Sequence, residues 1–266
     1  LVYGHITGFG REGPDADKAA FDIAAFWSRA GIAHLLTAPG GKLPFQRGGM
    51  GDHNTGSTFA GGICAALYHR EKTGEGQLVS TSLYRQGVYT VSFDLNTVLG
   101  WGRHPAIGTR ETMPSPSVNN YQAGCGRHFW IVGLEGDRHW PPIARLAGHP
   151  EWIDDPRFAT ALDRALHAAE LIALLDEAWA TRTLDEWAPL FDAEPDMFWS
   201  RVQDPFEVVN DPTLRAAGGI VEVPDGVATT PMIATPVDFH GTPWTPRGLA
   251  PELGQHTAEV LRELGR

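Results

Sequence analysis

The stretch best equipped for chemistry is Gly49-Met50-Gly51-Asp52-His53-Asn54-Thr55-Gly56, where a carboxylate flanked by glycines arrives just before a helical pattern. At a helix N-terminus, free backbone N–H groups and the positive end of the dipole favour an ionised carboxylate. An ionised, unobstructed aspartate is what a carboxylate nucleophile needs, and glycines let a bulky substrate approach the backbone. Aspartate before a helix is also an ordinary turn or capping residue, so both readings of Asp52 stand. His53 adds an acid–base group beside it, or else a ring that hydrogen-bonds locally, since neighbours in a turn often point apart. His5, His34, His69, His128 and His139 show no zincin spacing, and the expectation is that no metal site exists. Gly8-Phe9-Gly10 and Gly40-Gly41 lack the strand–GxGxxG–helix context of a dinucleotide site, and no G-x-S-x-G elbow occurs.

The elements around Asp52 follow from the pattern of apolar residues. Leu1 to Phe9 reads as a strand, and Phe21, Ile23, Ala24, Phe26 and Trp27 as a helix-compatible cluster. A glycine- and proline-rich loop, residues 39–52, runs into the clearest helix, with Thr55 or Ser57 as its cap. Phe59, Ala60, Ile63, Cys64 and Leu67 line one face of it, and Gly74 ends it. Gln77 to Leu83 reads as a strand or the start of a helix, and the irregular residues 100–116 as a linker. Further along, the pattern predicts a strand over 128–134, then a helix over 137–147 with Pro141 in its first turn. Helical spacing continues over 160–180 and again around Leu184, Trp187 and Phe191. Short strands at 219–223 and 236–239 and a closing helix over 257–264 complete a mixed α/β reading.

Composition narrows the classes. The 266 residues suffice for a sizeable core, and 42% hydrophobic with 20% charged residues is ordinary for a globular chain. A net charge of −11 argues against wrapping nucleic acid or lying on an anionic membrane. Cys64 and Cys125 are the only cysteines, which excludes a disulfide framework. The longest apolar-leaning run, Phe59 to Tyr68, is too short to span a bilayer, and no signal peptide is visible. A soluble, cytoplasmic protein is the expectation. Leu1-Val2-Tyr3 reads as the middle of a strand, which suggests that something upstream is missing.

The order Ile6-Thr7-Gly8-Phe9-Gly10, Gly13-Pro14, Phe21-Asp22, Gly51-Asp52, Ala65-Ala66-Leu67, Arg70-Glu71-Lys72-Thr73-Gly74-Glu75-Gly76-Gln77 and Ser82-Leu83 resembles the family III CoA-transferases. The likeness continues through Asp137-Arg138-His139-Trp140, Asp155-Pro156-Arg157-Phe158, Asp211-Pro212, Leu214-Arg215 and Leu253-Gly254-Gln255-His256-Thr257, so it covers essentially the whole chain. That family includes formyl-CoA, carnitine and benzylsuccinate CoA-transferases and the 2-methylacyl-CoA racemases. The resemblance implies part of a Rossmann-like large domain with a smaller α+β domain. Residues 1–99 would be the large-domain portion, 100–118 a linker, 119–203 the small domain and 204–266 a return segment to the large domain. It further implies an interlocked homodimer, and a further half of the large domain ahead of Leu1.

By the same resemblance Asp52 is the catalytic aspartate. Its carboxylate attacks an acyl-CoA thioester to give an aspartyl anhydride and CoA thiolate, and exchange proceeds through an aspartyl-CoA thioester. Coenzyme A is then a substrate, a carboxylic acid is the partner substrate, and no prosthetic group is needed. The racemases place a histidine before the aspartate matching Asp22; Phe21 stands there instead, which favours transfer over racemisation. Racemase or isomerase chemistry, and a truncated subunit that does not catalyse, remain the alternatives.

Phe21, Gly51, His53, Gly124 and Gly126 are candidate contacts for substrate or CoA. Gly124-Cys125-Gly126 matches the place of a glycine-rich loop that covers the site in some transferases, or is simply a hairpin turn. Lys42, Arg47, Arg70, Lys72 and Arg85 could meet CoA phosphates or be solvated surface charge. Gly51-Asp52-His53, Ser82-Leu83-Tyr84 and residues 24–31 are similar to the group handling aryl- or branched 2-hydroxyacyl-CoA. Phe198 and Trp199 would suit a hydrophobic acid, or be core residues.

Overall fold

A computed structural model describes residues 1–112 and 115–266 of the chain. The fold is mixed α/β. Strand β1 (Tyr3–Thr7) pairs in parallel with β2 (Leu78–Ser82), from Tyr3 opposite Leu78 to Thr7 opposite Ser82. Parallel pairing needs a crossover, and half of it is a π-helical turn (Ile23–Arg29), α1 (Ile32–Leu35) and the 24-residue α2 (Met50–Thr73). Gly4 and Gly62 bring α2 onto the strands: a Cβ on Gly4 would lie 2.8 Å from Phe59, and one on Gly62 3.1 Å from Val79. Ser82 then caps α3 (Leu83–Thr90), accepting from the Arg85 amide at 3.1 Å. Helix α4 (Ser92–Trp101) follows and buries none of its residues.

The middle of the chain builds a three-stranded antiparallel sheet, β3 (Val118–Gln122), β4 (His128–Val132) and β5 (Trp199–Arg201), in the order β3-β4-β5. The helices of this region are α5 (Gly136–Leu146), α6 (Ala161–Leu166), α7 (Ala168–Trp179) and α8 (Leu184–Asp192). Its core gathers Phe129, Ile131, Ile143, Leu171, Leu175, Trp179 and Phe191, and Trp179 meets Phe191 edge-on at 5.4 Å. A second, smaller core holds Ala25, Phe26, Trp27, Ile32, Ala33 and Leu83. Helices α9 (Pro205–Asn210) and α10 (Pro212–Ala216), the hairpin β6 (Ile220–Pro224) and β7 (Thr229–Ile233), and α11 (Thr257–Glu263) complete the chain. No helix among the described residues is long and apolar enough to cross a membrane.

Several expectations need correction. Neither Thr55 nor Ser57 caps the main helix: it starts at Met50 behind Gly49, whose left-handed φ of 78° suits glycine. Thr55 instead turns its hydroxyl back to the Gly51 carbonyl at 2.6 Å. The helical pattern over 160–180 breaks at His167, and Pro141 with Pro142 lies inside α5 beyond its first turn. Residues 236–239 form no strand; β7 lies at Thr229–Ile233. The irregular segment at 100–116 holds the end of α4 and a 3₁₀ turn at Arg110–Thr112, whereas Met113 and Pro114 lie outside the described residues.

Candidate active site

Asp52 lies in the first turn of α2, third after the Gly49 cap, and is exposed. Among the described residues its carboxylate neither accepts a hydrogen bond nor forms an ion pair. Among the described residues the chain thus presents an unpaired carboxylate at the positive end of a 24-residue helix. Such a group is free to attack an electrophile, because no cation or donor has to be displaced first.

What holds this turn in place is a buried group 29 residues earlier. Asp22, 6% exposed, caps the π-helical turn by accepting from Ile23 N at 2.8 Å through Oδ1. Its Oδ2 accepts from Gln46 Nε2 at 2.8 Å and from Gly51 N at 3.3 Å. The Gly51 amide is one of the donors that the first turn of a helix leaves without an intrahelical partner. The loop leading to α2 is stapled a second time where Trp27 Nε1 donates to the Pro44 carbonyl at 3.2 Å. Gly51 is buried and cannot carry a side chain: a Cβ there would lie 2.7 Å from Phe26 and 2.8 Å from the Asp22 Cβ. The space that a side chain on Gly51 would need is therefore already occupied by protein.

The other sequence candidates divide. Phe21 precedes Asp22 in the chain and is 85% exposed; Phe45, next to Gln46 in the chain, is 93% exposed. His53 is exposed, and its ring packs over Gly49, where an added Cβ would meet Cε1 at 3.2 Å. Gly124 and Gly126 form the β3–β4 turn, whose neighbours belong to its own region. Gly124 N donates to the Arg182 carbonyl at 2.8 Å, and a Cβ on Gly124 would lie 2.4 Å from the Ala180 carbonyl oxygen. Gly126, at φ +82°, adopts the left-handed conformation that the turn requires. Lys42, Arg47, Arg70, Lys72 and Arg85 are all exposed. Trp199 packs against the core and donates to Asp192 at 2.9 Å, while Phe198 stacks edge-on against His139 at 4.9 Å. Sequence reasoning missed Gln46 altogether and gave Asp22 no role. A buried amide 24 residues from its carboxylate partner leaves no local pattern, although an aspartate just ahead of a helical cluster is the usual mark of a cap.

With this geometry in hand, comparison with known proteins is specific. Residues 1–257 match the family described as CoA-transferase family III. The chain is 28% identical over 266 residues to the (R)-2-hydroxy-4-methylpentanoate CoA-transferase of Clostridioides difficile, covering 100% of this chain and 66% of that protein. It is 26% identical over 270 residues to the cinnamoyl-CoA:phenyllactate CoA-transferase of Clostridium sporogenes, covering 100% and 65% respectively. Among solved structures, a CAIB/BAIF family protein from Brucella suis superposes with a TM-score of 0.81 at 27% identity, covering 99% of this chain and 68% of that one. The chain thus spans just under two thirds of the length of these two curated relatives.

Proposed function

The chain belongs to CoA-transferase family III, and from that premise we propose that it carries the nucleophile of an enzyme moving CoA between an acyl-CoA thioester and a free carboxylic acid. The observation that carries this reading is the exposed Asp52 carboxylate, unpaired among the described residues, on a helix turn tied down by Asp22. In the proposed reaction an Asp52 oxygen attacks the acyl carbonyl carbon and the C–S bond breaks. CoA leaves as the thiolate, carrying the negative charge, and Asp52 becomes a mixed anhydride. The thiolate attacks the aspartyl carbonyl and expels the first acid as its carboxylate. The acceptor carboxylate then repeats the two steps in reverse order, so that Asp52 is regenerated and the second acid leaves as its CoA thioester. Every intermediate is an activated acyl group, so no nucleotide is consumed.

Phe21 supports transfer over racemisation, because a phenyl ring supplies no base for abstracting a proton beside the thioester. Phe21 and Phe45, the chain neighbours of Asp22 and Gln46, are largely exposed, and such exposed rings support a hydrophobic acyl group such as the branched or aryl 2-hydroxy acids. The assembly proposed is an interlocked homodimer. Residues 1–99 form part of its large domain, 100–118 a linker, 119–203 the small domain and 204–266 the return segment. Turnover of labelled 2-hydroxy-4-methylpentanoate and phenyllactate with a panel of acyl-CoA donors tests the activity. Asp52→Ala is expected to abolish exchange with the fold intact, and hydroxylamine with acyl-CoA to inactivate the wild type by converting Asp52 to a hydroxamate. Wild-type turnover by Asp52→Ala would refute the mechanism, and deuterium entering the acyl α-carbon without an acid acceptor would replace transfer by racemisation.

A further inference from the structure

A buried carboxylate is a costly way to tie down a helix end. Asp22 is 6% exposed, and among the described residues it has no cationic partner. A serine or threonine at the cap position would satisfy a first-turn amide of α2 without burying charge. A local cap would leave something undone, however. The bond from Gly51 N to Asp22 Oδ2 joins α2 to a different element, and Gly51 immediately precedes Asp52 in the chain. The same oxygen takes the Gln46 amide, and Gln46 is itself 6% exposed. Among the described residues Gln46 Oε1 has no hydrogen-bond partner, so the carboxylate alone orients that amide. Three N–H groups, from the π turn, the loop and the first turn of α2, therefore converge on one carboxylate.

We propose that Asp22 is the positioning residue of the nucleophile. It locks the first turn of α2 onto the π-helical turn, with Gln46 orienting its carboxylate, and so sets where the Asp52 oxygens meet the acyl carbonyl. The inference rests on the reading of Asp52 as nucleophile. A misplacement of about 1 Å at a reacting group costs on the order of 100-fold in rate. A group that only orients the nucleophile acts on the chemical step and not on the grip on CoA, so its loss falls on kcat while KM stays.

The test is steady-state kinetics of the full-length protein with whichever donor and acceptor pair the wild type turns over fastest. Single-turnover trapping of Asp52 by hydroxylamine runs alongside. Asp22→Ala is expected to lower kcat and the rate of Asp52 labelling about 100-fold, with KM for acyl-CoA within about threefold of wild type. Gln46→Met keeps the Gly51 bond but frees the carboxylate on one side. It is expected to lower kcat about 5–10-fold at unchanged KM in a protein that melts lower but stays folded at the assay temperature, and it decides the matter if Asp22→Ala does not fold. Wild-type kcat in the folded variants, or a loss borne by KM alone, overturns the proposal. Asp52→Ala separates the two failures: if it is inactive while the Asp22 and Gln46 variants match wild type, only the positioning role falls. If Asp52→Ala itself turns over, the nucleophile reading falls with it.

Discussion

Two glycines of one helix should respond in opposite directions to the same substitution. In Gly51→Ala the new methyl would sit 2.7 Å from Phe26 Cβ and Cγ and 2.8 Å from Asp22 Cβ. Comfortable carbon–carbon contact needs about 3.5–4.0 Å, so α2 and the π turn must part by roughly 1 Å. None of these three atoms lies at the end of a flexible side chain, and Phe26 is only 2% exposed, so neither can swing aside. That retreat also stretches the Gly51 N–Asp22 Oδ2 bond beyond its present 3.3 Å and breaks it. Overpacking costs about 1–3 kcal/mol, and losing a hydrogen bond to a charged group about 1.5–3 kcal/mol. Alanine's better helix propensity returns about 1 kcal/mol, which leaves a net loss near 3 kcal/mol. For a chain of this size that is roughly 6–12 °C in melting temperature. At Gly56, also on α2, an added Cβ meets nothing within 4 Å, so Gly56→Ala keeps only the propensity gain of about 1 kcal/mol. Calorimetry and circular-dichroism melts of the two variants measure the contrast. A Gly51→Ala protein as stable as Gly56→Ala would refute the wedge.

Two further outcomes test the three-stranded region. Arg164, 2% exposed, donates to the Phe158 and Ala159 carbonyls at 2.7 and 3.2 Å and to Asp137 at 3.0 Å. Arg164→Met should cost about 2–4 kcal/mol by stranding those carbonyls. Asp137→Asn should cost less than about 1 kcal/mol in the same urea titration, because the Asp137 side chain is 78% exposed; equal losses would show that the charge pair and not the carbonyls matters. Asp155, bonded by the Arg157 side chain and backbone, has its carboxyl held at about 2, below the ordinary carboxylate range. A depressed folded-state value means that the contribution is complete above about pH 4 and is lost as the pH falls toward 2. Asp155→Asn should therefore flatten the acid side of the stability curve over that interval, read by urea midpoints against pH, and an unchanged slope would contradict this assignment.

What could be read from the sequence follows the range of the interactions. The apolar stripe of α7, with Leu171, Ile172, Leu175 and Trp179 all buried, is a local pattern and was legible. So were β1, β4 and α8, whose Thr183 and Glu186 form a capping box. The start of α2 is not marked in the sequence, because its cap, Gly49, is a glycine without a side-chain bond, whereas Thr55 and Ser57 carry the side chains typical of a cap. Helix α4 escaped because it buries nothing, so no face of it is marked by periodicity. The break at His167 is a matter of backbone geometry inside an otherwise continuous apolar pattern.

At the site the same division has a sharper consequence. Asp52 could be singled out by its glycines and its place at a helix start, but what those glycines do could not. Gly51 presses on Phe26 from α2, and Gly87 presses on it from α3, where a Cβ would lie 2.5 Å from the Phe26 carbonyl oxygen and 2.6 Å from Ala30 Cβ. Phe26 is thus clamped between two helices by the absence of two side chains, in the middle of a π-helical turn whose geometry is itself uncommon. The turn that carries Phe26 also begins at Asp22, so the packing and the hydrogen bond that place Asp52 share one support. A side chain added at either glycine would push on the element that carries Asp22. The two glycines therefore belong to the positioning of Asp52 as much as its carboxylate partner does, although one of them lies on a helix that the proposed reaction never touches.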